Sequence, residues 1–310
     1  MTDLSTEIAG LSLRNPVLLA SGCAGYGAEL DGLLDWGGLG GLVTKGVSLD
    51  PWEGNPPPRV AETASGMLNA IGLQNVGLAR FCAEKADYLA AIDCPVIVNV
   101  IGRSREEYVA VTEGLRGRAY IDALELNISC PNIKAGGIQF GTQPAAAARI
   151  TRAVVDAADR PVWVKLAPTV ADIGEMARAV ADAGAAALSV TNTIPGMAID
   201  LERRRAVLGN GVGGLSGPAI KPVALRLVHA CASAVQLPIV GIGGIASGRD
   251  ALEFLLAGAS AVQIGTASLV EPGAGTRIAG EMCGWMESNG VRTVRELIGT
   301  LGGEPARSCT

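Results

Sequence analysis

Six short apolar runs in this chain each end in groups able to bind or react. They end in Ser21-Gly22, Thr44-Lys45-Gly46, Asn99, Asn127, Lys165 and Thr191-Asn192-Thr193. Two further runs end in Gly243-Gly244 and Gly265-Thr266. Polar residues at strand ends also cap the helices that follow. Six in succession, two of them lysines, favour a shared rim instead. The glycines add a different capacity, because backbone N–H groups at a Gly-rich turn that opens a helix cradle a phosphate. Residues 241–246 also spell G-x-G-x-x-A, the dinucleotide fingerprint. No βαβ half follows it, however, and no acidic residue stands close to 20 positions on. The phosphate of a mononucleotide fits better.

An asparagine offers donor and acceptor together, which matches the pyrimidine edge of an isoalloxazine ring. A lysine beside N1 and C2=O would stabilise an anionic reduced flavin. Lys45 and Lys165 are the candidates for that place; the competing reading pairs one of them with a barrel carboxylate such as Glu125. Cys130 lies in Asn127-Ile128-Ser129-Cys130-Pro131-Asn132, on a glycine-bearing loop after the fourth run. There it suits a catalytic base or nucleophile, with a free pKa of about 8.5. The other six cysteines sit in helical, apolar or terminal contexts and read as packing. The single histidine, His229, reads as a helix-surface residue. Seven cysteines without a C-x-x-C pair argue against a disulfide framework, and against a zinc or iron–sulfur site in this chain. No metal is expected.

These groups need elements to carry them. The apolar runs span 16–20, 41–44, 95–100, 123–126, 161–166, 186–190, 238–242 and 261–264. Lacking polar alternation, they read as strands buried on both faces. Helical segments are expected at 78–91, 105–115, 144–158, 170–183, 219–234 and 248–257. Eight β-then-α units predict an α/β fold, a (β/α)8 TIM barrel, with a doubly wound sheet as its structural rival. Two βα loops are long, 51–75 after strand 2 and 195–218 after strand 6. They belong to the C-terminal face, where barrel active sites are built. Residues 7–13 predict a small N-terminal hairpin plugging the barrel floor. Without a linker or repeat, residues 1–310 read as one domain.

Composition sets the outer bounds. With 49% hydrophobic and 18% charged residues among 310, disorder is excluded. Glycine, 42 residues, is about twice the usual share of roughly 7%. The net charge of −5 and a longest basic run of only Arg203-Arg204-Arg205 leave little footprint for nucleic acid. No apolar stretch reaches the ~18–20 residues of a membrane span. The acidic opening is unlike a signal peptide. A soluble, cytoplasmic protein is expected, with no membrane contact.

Four stretches carry a family resemblance: Asn-Pro-Pro-Pro-Arg-Val-Ala-Glu-Thr at 55–63, Gly-Met-Leu-Asn-Ala-Ile-Gly-Leu-Gln-Asn at 66–75, residues 127–132, and Gly-Gly-Leu-Ser-Gly-Pro-Ala-Ile-Lys-Pro at 213–222. From residue 13 to about residue 270 the chain resembles the class 1 dihydroorotate dehydrogenases, within them the NAD-linked class 1B catalytic subunits. The resemblance implies FMN held by Ser21, Lys45, Gly46, Asn99, Asn127, Lys165, Thr191, Gly217, Gly243, Gly244, Gly265 and Thr266. It implies dihydroorotate held by Lys45, Asn69, Ala70, Ile71, Gly72, Leu73, Asn127, Asn132, Asn192 and Thr193. Cys130 would remove the C5 proton while a hydride passes from C6 to flavin N5, giving orotate for pyrimidine biosynthesis. The resemblance further implies a partner subunit with FAD and a [2Fe-2S] cluster that passes electrons to NAD+, in a heterotetramer.

Two departures from the family pattern stand out. Ala135 occupies a place where relatives commonly have histidine, and Thr191 one where isoleucine is common. Neither replaces a reacting group. The alternatives are a fumarate-linked class 1A-type enzyme and a dihydropyrimidine dehydrogenase-like flavoenzyme. Outside flavoenzymes, a phosphate-binding barrel lyase or isomerase would purify colourless.

Overall fold

Runs of Val, Ile and Leu too short for helices pair side by side, each with the next in sequence. The computed structural model describes residues 2–128 and 141–302; Cys130, Asn132, Ala135 and Cys309 lie outside the described residues. Eight parallel strands close into a barrel: β1 (Val17–Leu19), β2 (Gly41–Val43), β3 (Val96–Val100), β4 (Ala123–Asn127), β5 (Val162–Lys165), β6 (Ala187–Val190), β7 (Ile239–Ile242) and β8 (Ala261–Ile264). Their order round the barrel is their order in sequence, and β8 pairs with β1. The barrel reading holds, and the doubly wound sheet is excluded.

Alternation along the strands sorts the interior into layers. The lowest layer takes one buried residue from every strand: Leu18, Val43, Ile97, Ala123, Trp163, Ala187, Val240 and Ala261. The N-terminal hairpin, Thr6–Ile8 against Leu11–Leu13, packs Ile8 and Leu13 onto that layer. The expected floor plug is therefore present. Burying two such side chains contributes roughly 1.5–3 kcal/mol each. Two residues further along, the interior turns polar, with Asn99, Glu125, Lys165, Ser189 and Gln263 all buried.

Helices cover the outside: α1 (Gly77–Glu84), α2 (Ala86–Ala91), α3 (Arg105–Gly114), α4 (Pro144–Ala157), α5 (Ile173–Asp182), α6 (Lys221–Ala234), α7 (Gly248–Leu256), α8 (Thr266–Val270) and α9 (Ala274–Ser288). The expected helix over 78–91 is two, bent at Lys85. Hydrogen bonds from Lys85 N to Phe81 O and from Leu89 N to Lys85 O carry the turn through the bend. The helix expected from 170 starts only at Ile173, because the Asp172 carboxylate accepts from Gly174 N and Glu175 N and caps it there. Between β1 and β2 the chain makes only 3-10 turns, Ala28–Leu30 and Trp36–Gly38. The outer place beside β1 is taken by α9, which packs on β1 and α7.

The two long loops do not lie apart. Val60–Thr63 and Gly66–Asn69 from the loop after β2, and Ile194–Gly196 and Gly213–Ser216 from the loop after β6, form one antiparallel sheet. Gly214 pairs with Asn69 and Ser216 with Met67. Leu68, Ala70 and Leu208 give this sheet a small buried cluster of its own.

Candidate active site

The strand ends expected to converge do so at the C-terminal rim. Glu125, two residues beyond the floor layer on β4, is fully buried. Its Oε1 accepts from Asn99 Nδ2 at 2.7 Å and lies 3.6 Å from Lys165 Nζ. Its Oε2 accepts from Ser189 Oγ at 2.7 Å and Gln263 Nε2 at 2.8 Å. So Lys165 is paired with a barrel carboxylate, as the competing reading had it, and it stands at the rim position expected of a cofactor ligand as well. Asn99 Oδ1 turns upward and accepts from Asn127 Nδ2 at 3.5 Å. The Asn127 carbonyl accepts from Tyr108 OH at 2.8 Å, which ties the end of β4 to α3.

Lys45 has other surroundings. It lies two residues past Val43, half-buried, with its backbone N–H bonded to Gly25 O. Among the described residues its ammonium has no hydrogen-bonded acceptor and no ion-pair partner. Burial lowers its pKa from the usual lysine range; Glu29 opposes that shift and Arg59 adds to it. An unpartnered, half-desolvated cation is poised for an anion.

The segment 69–73 is braced rather than loose. Asn55 N donates to Ile71 O and Asn55 Nδ2 to Ala70 O. Asn75 Nδ2 donates to Leu73 O, while its Oδ1 accepts from Ser48 Oγ and Gly77 N. Gly72 and Leu73 both adopt positive φ, and a Cβ on Gly72 would come within 2.5 Å of Asn55 N. Asn69 Nδ2 reaches Gly214 O at 3.3 Å. Thr193 packs so tightly on Gly214 that a Cβ there would fall 1.9 Å from Thr193 Oγ1.

On the far side of the rim, Gly243 and Gly244 have positive φ, and a Cβ on Gly244 would meet the Lys221 backbone at 2.6 Å. The N–H groups of Gly244, Ile245, Thr266 and Ala267 have no acceptor among the described residues. Gly217, also at positive φ, abuts Gly66, and Thr266 Oγ1 donates to Ser216 Oγ. Free N–H groups at two glycine turns, amides and a lysine on one rim match a flavin mononucleotide by donor chemistry. Gly46 follows β2, where a Cβ would meet Asn99 Oδ1 at 3.2 Å, and Ser21 lies two residues past the end of β1. Thr191 is buried and donates its hydroxyl to Leu166 O at 3.3 Å, so its oxygen is paired. Asn192 N is held by Leu166 O, and Asn192 Oδ1 accepts from Thr193 N.

Several contributors went unassigned from sequence. Ser189 and Gln263 are legible only once the strand register is known, and Tyr108 only once α3 is packed on the end of β4. Arg59, inside a recognised stretch, is fixed by Asn55 O, Gln74 Oε1 and Glu53 O beside Lys45. Cys23 lies beside Gly265, its thiol pushed up to about 11 by burial, with Lys165 pulling the other way. His229 is exposed on α6 as expected. Among the described residues no group of His, Cys, Asp and Glu could hold a metal ion.

The chain matches the dihydroorotate dehydrogenase family over residues 3–286. It belongs to that family. The "Dihydroorotate dehydrogenase B (NAD(+)), catalytic subunit" of Geobacter sp. (strain M21) is 56% identical over 299 residues, covering 96% of this chain and 98% of the relative. The proteins of the same name from Geobacter sulfurreducens and Pelobacter propionicus are each 55% identical over the same shares. A solved DHODH from Eimeria tenella, in complex with ferulenol, superposes with a TM-score of 0.81 at 24% identity, covering 98% of this chain and 89% of that one. At that identity the likeness concerns the fold.

Proposed function

We propose that this chain is the catalytic subunit of an NAD+-linked dihydroorotate dehydrogenase, oxidising (S)-dihydroorotate to orotate in cytoplasmic pyrimidine biosynthesis. Relatives of that name, more than half identical over nearly the full chain, support the reading. The observation that carries it is the pair of lysines at one rim, one engaged by Glu125 and one without a partner among the described residues. An acidic substrate needs a free cation, and Lys45 supplies it. Asn69, Asn127 and Asn192 would offer amides to a planar ring that has both donors and acceptors, and Asn132, outside the described residues, is assigned to the same substrate by family resemblance.

FMN, when bound, supplies the two-electron acceptor for the hydride leaving C6. Lys45, Lys165, Asn99, Asn127, Ser21, Gly46, Thr191 and Gly217 would border its ring system, and Gly243, Gly244, Gly265 and Thr266 its phosphate. Cys130 takes the C5 proton as thiolate, and Lys45 holds the substrate carboxylate in place. The braced 69–73 segment orients the ring and excludes water. No described helix is long and apolar enough to cross a membrane. The electrons would leave through a partner subunit carrying FAD and [2Fe-2S] in a heterotetramer.

Orotate titrated into FMN-loaded protein tests the assignment by flavin difference spectra. Lys45→Met should weaken orotate binding by about a hundredfold, the order of a lost charge-assisted contact, with FMN retained. Equal affinity for uracil and orotate in the unaltered protein would instead favour a dihydropyrimidine-type substrate.

A further inference from the structure

Glu125 is the only acidic side chain buried among the described residues, and it sits in the middle of the barrel. One layer below it, Ala123 and its neighbours fill the barrel with apolar groups. The fold alone therefore does not require a charge at this height. A buried ion pair is costly to desolvate and is often no more stable than apolar packing. What distinguishes Glu125 is where its partners lead. Through Oε1 it holds Lys165 at 3.6 Å and fixes the Asn99 amide, whose other end faces Asn127. Both of those side chains belong to the rim proposed to receive flavin.

We propose that Glu125 is a positioning residue that sets the electron affinity of the bound flavin. Its charge offsets part of the Lys165 ammonium in a region of weak screening. Its hydrogen bond orients Asn99 with the carboxamide oxygen toward Asn127. Ser189 and Gln263, donating to Oε2, hold the carboxylate so that Oε1 stays turned to Lys165. The inference rests on the reading that FMN lies over Lys165.

Glu125→Gln keeps the shape and removes the charge. Gln263 Oε1, buried and without a partner among the described residues, can accept from the new amide. Lys165 then acts unopposed, and the reduced, anionic flavin gains on the oxidised form by about tenfold in binding ratio, about 30 mV for a two-electron couple. The test is FMN content, followed by anaerobic reductive titration of the FMN-loaded chain against a reference dye. A raised potential in Glu125→Gln supports the proposal. A potential unchanged or lowered, with FMN bound, overturns it, since a merely structural carboxylate would cost thermal stability and leave the potential where it was. Wild-type protein that takes up no FMN overturns the flavin reading, and this inference with it. Should Glu125→Gln fail to fold, Ser189→Ala decides. It withdraws one donor and leaves more negative charge opposing Lys165, so the potential falls; an unchanged value contradicts the role.

Discussion

Lys45 and Lys165 both follow apolar strand positions, yet the fold gives them opposite surroundings. Lys165 is buried against Glu125, whereas Lys45 is half-exposed and unpartnered among the described residues. Sequence placed both at the rim but could not say which would pair, because that depends on the registers of β4 and β5. The difference has a pH consequence. Burial lowers the Lys45 pKa, so its cation is lost at a pH below the ordinary lysine range, and the hold on an anionic substrate goes with it. On the acid side, the proposed base at Cys130 must lose its proton, near 8.5 for a free thiol. The profile of kcat/KM should therefore rise with pH and fall again on an alkaline limb. Orotate affinity should fall on that limb too, and Lys45→Met should lose this dependence. An affinity constant up to the pH where ordinary lysines titrate would contradict it. Cys130→Ala should reduce turnover by more than a hundredfold with FMN still bound; a variant keeping a tenth of the rate excludes the cysteine as base.

At the scale of elements, the eight strands were legible because they are apolar on both faces, and the hairpin because of its Gly10 turn between apolar residues. α9 was missed. Gly275, Gly280 and Gly284 break its pattern, although Ala274, Ile278, Met282 and Met286 form the buried i, i+4 stripe. The joint sheet of the two long loops was equally hidden, since its strands are only three or four residues long and its two halves pair across about 150 residues of chain. That sheet and the hydrogen bonds of Asn55 and Asn75 hold 69–73 in shape. Gly72→Ala would force a Cβ into Asn55 at a positive φ, costing roughly 1–2 kcal/mol before any clash. The expected result is KM for dihydroorotate raised at least tenfold, with FMN content little changed and Tm lowered by roughly 2–8 °C. Unaltered KM would remove this segment from the substrate site.

For the whole molecule, the described residues offer one rim proposed to bind and react, and no second nucleotide-binding unit that could hand electrons to NAD+. Expressed alone and loaded with FMN, it should reduce artificial dyes with dihydroorotate but reduce NAD+ at less than about a hundredth of that rate. Adding the partner subunit should restore NAD+ reduction; vigorous NAD+ reduction by the lone chain would overturn the division of labour. The fold was readable from patterning, and most rim positions followed from what ends each strand. The ties across the barrel were not, because Glu125, Ser189 and Gln263 lie on strands that only closure brings together. The most direct test is an anaerobic absorbance spectrum of the FMN-loaded chain before and after dihydroorotate. The flavin band near 450 nm should bleach as orotate forms; a flavin band that dihydroorotate leaves unchanged would contradict dihydroorotate oxidation at this rim.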